Sequence, residues 1–380
     1  MKLGGVRVLD LSQFLPGPHL TMTMADHGAD VIMIEPANGV GEPSRELGLR
    51  TKDGTAVWFR NIARGKKSLK LDLKSDADRA LFLSLADEAD VIVEAFRPGV
   101  AKRLGVDYET VSARNPRVVY CAISAFGQNG PYRDRPAHDL AVQALAGTVD
   151  LCRGLTDDKP SAPNVVSADM ASSLTALSAV MMALYAREKT GRGDYIDIAM
   201  FDSLLAWTAN VTAPVFAEDR APVAKEMRPF GGQAMNRIYE TKDGQYVVLG
   251  GSEVKFAENL LKALGRLDLL DYARVEPGKG QAPLIEYFIA TFRTKTRAEW
   301  EAFLSGIDVC WAPVRTLKDG FADAHTNARG MVLTDTEGNR HIGPAIKFKN
   351  DPAEPQLELP LYGEDNAVIA AAGWEGEPTI

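Results

Sequence analysis

An acidic residue near the start of the longest predicted helix is the first side chain that could do chemistry. The pattern from Ser167 to about Lys189 predicts a helix that ends at Thr190-Gly191-Arg192-Gly193, and Ser167 is of a type typical of an N-cap. Asp169 then falls in the first turn, where backbone N–H groups and the helix dipole stabilise a carboxylate. Such a carboxylate can serve as a nucleophile or a base, but acidic first turns also occur in helices without a catalytic role.

Two more titratable residues lie at predicted helix starts. His138 follows the loop 127–131 and opens a helix, and a positive helix end favours a neutral imidazole that can act as a base. Glu253 follows Ser252 and falls in the first turn of a helix that comes after a strand. Structural alternatives remain for both residues, namely a surface histidine and a capping carboxylate.

The sequence lacks the common cofactor motifs. It contains no Gly-x-Gly-x-x-Gly after a strand, no phosphate-binding Gly-x-x-x-x-Gly-Lys-Ser/Thr and no paired-histidine metal motif. Its three cysteines, Cys121, Cys152 and Cys310, are far apart and show no metal-ligand spacing. We therefore expect neither a metal site nor a prosthetic group.

Composition excludes several classes of partner. The 380 residues include 43 basic and 51 acidic side chains, for a net charge of −8, which argues against binding to a nucleic acid backbone. No signal peptide is visible, and the apolar segment 174–186 is shorter than the roughly 20 residues of a bilayer span, which predicts a buried helix and no membrane partner. Scattered cysteines favour a reducing cytoplasm.

The first half of the chain alternates predicted strands and helices. The strands are residues 6–11, 29–35, 68–73, 91–96, 118–124 and 195–199. The helices between the first five strands are residues 18–27, 75–88 and 108–114. This alternation predicts an α/β domain with a mainly parallel sheet.

A second, smaller α+β domain is predicted downstream. The large domain covers residues 1–217, a charged linker with two prolines covers 218–230, the small domain covers 231–330, and a proline-spaced return to the large domain covers 331–380. The small domain opens with a hairpin, 237–241 and 245–249, joined through Asp243-Gly244. Helices are predicted at 253–264, 282–292 and 297–304.

Ordered motifs from residue 5 to about 265 resemble the family III CoA-transferases, which include formyl-CoA transferase, carnitine CoA-transferase and α-methylacyl-CoA racemase. The matching segments are Gly17-Pro18, Ala25 to Ile32, Arg64-Gly65-Lys66-Lys67-Ser68, Leu71-Asp72-Leu73-Lys74, Phe96-Arg97-Pro98-Gly99-Val100, Ser124 to Tyr132, Asp169 and Thr190 to Asp197. The resemblance implies a Rossmann-like large domain that holds both termini, an inserted smaller domain, and a homodimer whose two chains interlock.

The resemblance also implies two chemistries for Asp169, which matches the family's catalytic aspartate. In transferases this residue attacks the thioester, so that a mixed anhydride and then an aspartyl-CoA thioester carry the acyl group and CoA in turn. In racemases it works beside a histidine, with a glutamate on the opposite face, to remove and return the proton next to the thioester. Both chemistries imply the same cofactor requirement, since coenzyme A enters only as part of the substrate.

Several positions bear on the choice between them. His138 matches the racemase histidine, where transferases tend to carry tyrosine, and the segment 251–256 resembles the racemase segment that supplies the glutamate, here Glu253. Against this, residues 231–236 lack the racemase Asp-Gly-Gly-Ala-Pro-Phe block, and residues 49–63 resemble the longer transferase segment. The balance favours a racemase or epimerase of 2-methylacyl-CoA, with CoA transfer between carboxylic acids as the alternative.

A coenzyme A site also follows from the resemblance. Lys74, Arg97 and Arg103 match positions near the nucleotide phosphates, and Leu71 and Phe96 match apolar contacts to the adenine. For Arg103 and for Lys66-Lys67, ordinary solvated charges remain an alternative. A non-catalytic acyl-CoA-binding protein on the same scaffold is disfavoured by the presence of Asp169, and a nicotinamide oxidoreductase by the missing glycine motif.

Overall fold

The computed structural model describes residues 1–154 and 157–375, so residues 376–380 of the predicted return segment lie outside the described residues. The strands, in chain order, are β1 (Arg7–Asp10), β2 (Asp30–Pro36), β3 (Lys66–Leu71), β4 (Val91–Glu94), β5 (Val119–Ser124), β6 (Tyr195–Ala199), β7 (Asn236–Glu240), β8 (Tyr246–Gly250), β9 (Trp311–Pro313), β10 (Val332–Thr334) and β11 (Arg340–Ile342).

The helices follow the same numbering along the chain. The α-helices are α1 (Pro16–Asp26), α2 (Val57–Ala63), α3 (Asp76–Ala86), α4 (Val100–Leu104), α5 (Tyr108–Ser112), α6 (Asp139–Leu145), α7 (Thr148–Leu151), α8 (Ser167–Thr190), α9 (Met200–Ala206), α10 (Ala213–Glu218), α11 (Val254–Ala263), α12 (Ala282–Phe292), α13 (Arg297–Leu304), α14 (Leu317–Ala322), α15 (Ala324–Ala328) and α16 (Asn366–Ala372). Short 3-10 helices are Pro43–Glu46, Ala224–Glu226, Arg228–Phe230, Leu267–Ala273, Lys279–Gln281 and Gly373–Glu375.

The chain folds into two compact units. The large unit comprises residues 1–146, 164–207 and 323–380, and the small unit comprises 147–163 and 208–322. The chain thus enters the small unit before the predicted linker at 218–230 and leaves it before the predicted end at 330. Residues 147–163, which the sequence pattern assigned to the large domain, group with the small unit.

A six-stranded parallel sheet organises the large unit. Its order is β3-β2-β1-β4-β5-β6, which is the order of doubly wound, Rossmann-like folds, so the predicted α/β class is confirmed. Because helices cover both faces, successive strand residues are buried on opposite sides, as Val8 and Leu9 show. The chain reverses direction across the sheet between β1 and β4, and a crevice forms beyond the carboxyl ends of these strands.

Each face of the sheet has its own apolar core. On one face, side chains of the strands pack against α3 and the C-terminal helix α16; this core includes Leu9, Ile32, Ile92, Tyr120, Phe82, Leu85 and Ile369. On the other face they pack against α1 and α8; this core includes Val8, Val31, Val91, Val119, Leu20, Met24, Ala176 and Val180. Helix α8 is therefore held by the sheet, and this fixes the position of its first turn.

Helix α8 was predicted to be buried, but only one of its faces is. Leu174, Met182 and Tyr185 are 42%, 70% and 67% exposed and lie along one stripe at helical spacing. By length and composition α8 also meets the criterion for a membrane span, although one such helix is weak evidence, because core helices of soluble proteins meet it as well.

A buried ion pair closes the carboxyl end of β1. The carboxylate of Asp10 accepts hydrogen bonds from the backbone and hydroxyl of Ser12, from the hydroxyl of Thr21 at 2.5 Å and from Lys66 at 3.0 Å. Lys66 also donates to the carbonyl of Pro18 at 2.9 Å. Both charged side chains are fully buried. Both oxygens of the Asp10 carboxylate therefore accept hydrogen bonds that fix the start of α1 against the sheet.

The small unit is built on a three-stranded antiparallel sheet in the order β7-β8-β9. The predicted hairpin is present, with strand bounds displaced by one residue, and Glu240 pairs with Tyr246 across the turn. Helices α12 and α13 begin and end where predicted. Their core is rich in aromatic side chains; Tyr239, Phe288, Phe292 and Trp300 are among its members. Strand β9 was not predicted.

Candidate active site

A cavity of about 410 Å³ lies in the large unit, beyond the carboxyl ends of β1, β4 and β5. Its lining combines apolar side chains with charged ones and includes Gln13, Phe14, Pro16, Phe96, Arg97, Phe126, Arg133, Arg135, His138, Asp169 and Met200. This is the crevice where open parallel sheets bind ligands. The structure thus brings four predicted site residues to one cavity: Asp169, His138, Phe96 and Arg97.

Asp169 lies in the first turn of α8, as predicted, and is half-buried. In the described part of the chain its carboxylate has no hydrogen-bond or ion-pair partner. Burial, followed by the nearby charge of Asp139, raises the pKa of Asp169 to about 7. A carboxyl group with this pKa can take up and release a proton near neutral pH.

The predicted cap of α8 is wrong. Ser167 is the first helical residue, and its hydroxyl donates to the carbonyl of Val165 instead of accepting from the first turn. Asp139 caps the helix from α6: one carboxylate oxygen accepts from the backbone N–H of Ala168 at 2.8 Å and of Asp169 at 3.2 Å. The other accepts from Gln143 at 2.6 Å. The free helix N–H groups thus bind Asp139, which leaves the Asp169 carboxylate without donors.

His138 is the N-cap residue of α6 and is exposed. Among the described residues its imidazole makes no hydrogen bond. Its ring packs edge-on against Phe14, with 5.7 Å between ring centroids and an interplanar angle of 83°. The described contact of the His138 imidazole is thus an aromatic one.

Phe14 has an unusual backbone conformation, with φ of 67°. Such left-handed conformations cost a non-glycine residue about 1–3 kcal/mol, so the surroundings must impose it. Glu42 accepts from the Phe14 N–H at 2.8 Å, and the indole of Trp58 donates to the Phe14 carbonyl at 3.2 Å. Burial raises the pKa of Glu42 to about 7, an effect opposed chiefly by its hydrogen bonds from the Phe14 and Ser44 backbone.

Glycine is required at position 17, three residues after Phe14, at the start of α1. A Cβ atom on Gly17 would lie 2.1 Å from the Ser12 hydroxyl oxygen, which is far inside contact distance. The close approach lets Ser12 stay bound to Asp10 while α1 begins beside it. The segment 12–17 is thereby fixed at both ends, with Phe14 between them.

A second cavity of about 400 Å³ adjoins the ends of β2 and β3. Leu71, Lys74 and Phe96, three of the residues assigned to coenzyme A by resemblance, line it together with apolar Ile34 and Leu104. Phe96 lines both cavities.

Arg103 lines neither of the two described cavities. Its guanidinium and that of Arg133 lie 3.6 and 3.7 Å from the position a Cβ would take on Gly99, so the two cations converge on one turn. Arg133 and Arg135 were not predicted as site residues. Arg133 and Arg135 follow Tyr132 in a polar loop, and nothing in that local sequence distinguishes them from solvated charges.

Glu253 belongs to the small unit. It was predicted in the first turn of a helix but is the N-cap residue of α11, and its side chain makes no capping hydrogen bond. The side chain is exposed.

The cavity lies at the crossover of a doubly wound sheet and is lined by a carboxylate, an imidazole and three arginines, a set of side chains suited to an anionic ligand. Comparison with known proteins identifies the class. The chain belongs to CoA-transferase family III, whose model matches residues 3–366.

Relatives of known activity fall into two groups. Succinyl-CoA:glutarate CoA-transferase of Mus musculus is 31% identical over 374 residues, which cover 95% of this chain and 84% of that protein. Alpha-methylacyl-CoA racemase of Homo sapiens is 31% identical over 384 residues, 97% of this chain and 92% of that protein. Acetyl-CoA:oxalate CoA-transferase of Acetobacter aceti is 38% identical over 269 residues, 68% and 65% of the two chains.

Solved structures agree with the fold. A CaiB/BaiF family protein from Brucella suis superposes with a TM-score of 0.83 at 30% identity, covering 97% of this chain and 98% of that one. Rv3272 from M. tuberculosis gives a TM-score of 0.83 at 29% identity over 96% of this chain and 98% of that one. The chain is therefore an enzyme of this family, a transferase or a racemase, and its substrates are CoA thioesters. Transferases outnumber racemases among the relatives.

Proposed function

We propose that the enzyme removes and returns the α-proton of a 2-methylacyl-CoA, as a racemase or epimerase. The observation that carries the proposal is that Asp169 and His138 line one cavity and that, among the described residues, neither side chain makes a hydrogen bond or an ion pair. Proton transfer uses two such groups, whereas covalent relay of CoA needs the carboxylate alone.

The chemistry is a reversible proton transfer. A base in the cavity takes the proton from the carbon next to the thioester, the electron pair of that C–H bond moves into an enolate, and return of a proton to the other face inverts the centre. Asp169, with its pKa of about 7, suits both the removal and the return near neutral pH. His138 serves beside it, and Glu253 serves on the opposite face, a role supported by the sequence resemblance around 251–256.

Coenzyme A binds, in this proposal, along the second cavity. Leu71 and Phe96 supply apolar contact to the adenine, and Lys74, Arg97 and Arg103 bind phosphates. The lining of the second cavity by Leu71, Lys74 and Phe96 supports this placement. Phe96, which lines both cavities, would lie where the pantetheine arm passes from one to the other.

The test follows deuterium uptake. A chiral 2-methylacyl-CoA incubated in deuterium oxide should gain one α-deuterium and lose optical purity, as read by mass spectrometry. His138→Ala and Glu253→Gln should each lower turnover roughly 100-fold or more, the scale of a general acid or base. Glu258→Gln, an exposed glutamate on α11, is the matched control and should retain activity. Absence of α-deuterium with the wild-type enzyme would exclude the proposal.

CoA transfer is the second candidate function. It is favoured by the same unpartnered Asp169 carboxylate, which can attack a thioester, and by the transferases among the relatives. Free carboxylic acids added to the incubation should then yield new CoA esters. New esters without α-deuteration would establish transfer and reject proton exchange.

We further propose that the enzyme is an interlocked homodimer in the reducing cytoplasm. The exposed apolar stripe on α8, formed by Leu174, Met182 and Tyr185, supports an interface between subunits. Sedimentation at low micromolar concentration should show a dimer, and a folded monomer would contradict the proposal.

A further inference from the structure

The aromatic ring of Phe14 contacts the imidazole of His138. His138 is exposed, and in the described part of the chain its ring has no hydrogen-bond partner. The edge-on contact with Phe14, at 5.7 Å between centroids, therefore limits where the imidazole can point. Phe14 lines the same cavity as Asp169 and His138.

The backbone of Phe14 is held from two sides. Its N–H donates to Glu42 and its carbonyl accepts from Trp58, and φ is 67°. Glu42 is itself buried and anchored, since its other oxygen accepts from the backbone N–H and the hydroxyl of Ser44. A strained residue that is fixed by its neighbours and faces a cavity is characteristic of a functional position.

We propose that Phe14 is a positioning residue: held in its left-handed conformation by Glu42 and Trp58, its ring orients the His138 imidazole toward the substrate carbon in the Asp169 cavity. This inference rests on the proposed proton-transfer function. Phe14 does not touch the transferred proton. It restricts the rotation of His138, whose ring would otherwise sample solvent-facing orientations, and so raises the fraction of enzyme that is ready to react.

The same fold contains a matched pair for comparison. His27 packs edge-on against Phe348 at 5.4 Å and 84°, almost the geometry of His138 and Phe14. Phe14 and Phe348 are also similarly exposed, at 36% and 40%. His27 is buried and lies outside both described cavities, so Phe348→Ala removes an equivalent ring contact without affecting the reaction.

The first experiment measures α-proton exchange in deuterium oxide. Phe14→Ala and Phe14→Gly should both lower the exchange kcat by roughly 10- to 100-fold with KM within about twofold, because orientation is lost while binding is kept. Phe14→Tyr, which retains a ring edge, should retain most of the rate, and Phe348→Ala all of it. Glycine should also give the higher melting temperature of the two small variants, since only glycine adopts the left-handed backbone without strain.

The second experiment observes the imidazole directly. With ¹⁵N-labelled histidine, the chain gives five imidazole signals, and His138→Gln assigns that of His138. Phe14→Gly should shift the His138 signal and leave the His27 signal unchanged. Phe348→Ala should shift the His27 signal and leave the His138 signal unchanged. Trp58→Phe, which loses the indole N–H but keeps a ring, should move the His138 signal in the same direction by a smaller amount.

The outcomes separate the two proposals. Normal exchange by both small Phe14 variants, alongside loss of exchange in His138→Ala, would overturn the role of Phe14 alone. Exchange absent from the wild-type enzyme would overturn the proposed function and this role with it. If the small variants do not fold, Phe14→Leu keeps the apolar volume and removes the ring, and an unchanged kcat for that variant would also overturn the proposal.

Discussion

Asp10 and Asp169, two aspartates of the large unit, have opposite surroundings. Asp10 is fully buried, and its carboxylate is bound by Ser12, Thr21 and Lys66. Asp169 is half-buried at a cavity and, among the described residues, has no partner for its carboxylate. Hydrogen-bond donors fix the Asp10 carboxylate in a structural role. The Asp169 carboxylate has no such donors among the described residues and is available for reaction.

The difference comes from where the backbone donors point. The first turn of α8 could have stabilised Asp169, but its N–H groups at Ala168 and Asp169 bind Asp139. Asp139 thus satisfies the helix terminus and adds a like charge beside Asp169, and both effects disfavour the ionised form of Asp169. Burial is the larger cause of the raised pKa of Asp169, and the charge of Asp139 at the α6–α8 junction raises it further.

The largest expected effect separates the two aspartates by activity. Asp169→Asn should lower turnover roughly 10²- to 10⁴-fold under either chemistry, because it removes the acid/base or nucleophilic group. It should not lower stability, since it removes a carboxyl whose ionisation the fold opposes. Steady-state kinetics and urea unfolding of the same preparation measure both. A clear loss of unfolding free energy would mean that Asp169 is structural.

The pH dependence of that stability difference has a definite sign. The folded-state pKa of Asp169, about 7, lies above its ordinary value of 3.8, so its contribution favours folding below pH 4 and is lost as the pH rises through 7. Relative to wild type, Asp169→Asn should therefore gain stability between pH 4 and 7.

The converse prediction concerns Asp10. Asp10→Asn leaves the buried Lys66 ammonium without its carboxylate, and this should cost about 3–5 kcal/mol of unfolding free energy. Adding Lys66→Met should restore part of the loss, because the uncompensated charge is then gone. Urea unfolding of the single and double variants measures the coupling. Equal stability of Asp10→Asn and wild type would show that the Asp10 carboxylate is not needed to stabilise the fold.

A smaller effect is expected from substitution of Asp139, whose charge disfavours ionisation of Asp169. In wild type, kcat/KM should rise with pH through a limb near 7, because the ionised Asp169 is the reactive form. Asp139→Asn keeps an oxygen for the α8 N–H groups but removes the like charge, which lowers the pKa of Asp169. The limb should then move to lower pH. A limb that stays in place would show that Asp139 does not tune Asp169.

The smallest effect tests the capping assignment. If Ser167 capped α8, Ser167→Ala would cost about 1 kcal/mol. Because Asp139 supplies the cap, we expect a loss below about 0.5 kcal/mol, the usual range for a surface substitution. Urea denaturation decides between the two, and a loss near 1 kcal/mol would restore Ser167 as the cap.

Local patterns in the sequence predicted most of the fold. Strand β6 and helices α12 and α13 have their predicted bounds, because each carries a strong apolar period between clear end signals. Each strand of the small unit's hairpin was displaced by one residue, since the turn extends one position beyond the predicted connection 242–244 on either side. Strand β9 spans Trp311–Pro313 and contains a proline, so it gave no strand signal of its own.

The site was predicted in part, and the missing part depends on contacts distant in sequence. Asp169 and His138 could be found because each follows a helix-start signal, and the structure places both at one cavity. Asp139, which caps α8, lies 29 residues before Ala168 in the sequence, and no local pattern links the two residues. Likewise, nothing in the sequence around Phe14 indicates a left-handed backbone, which Glu42 and Trp58 impose from other elements.

The most direct test of whether the Asp169 carboxylate works as an acid/base group or as a covalent relay is to trap it during turnover. Wild-type enzyme is mixed with a 2-methylacyl-CoA in deuterium oxide, treated with hydroxylamine or borohydride, and digested, and the peptide that contains residue 169 is examined by mass spectrometry. We expect α-deuterium in the thioester and an unmodified Asp169. An adduct on Asp169, together with normal turnover by Glu253→Gln, would contradict the account.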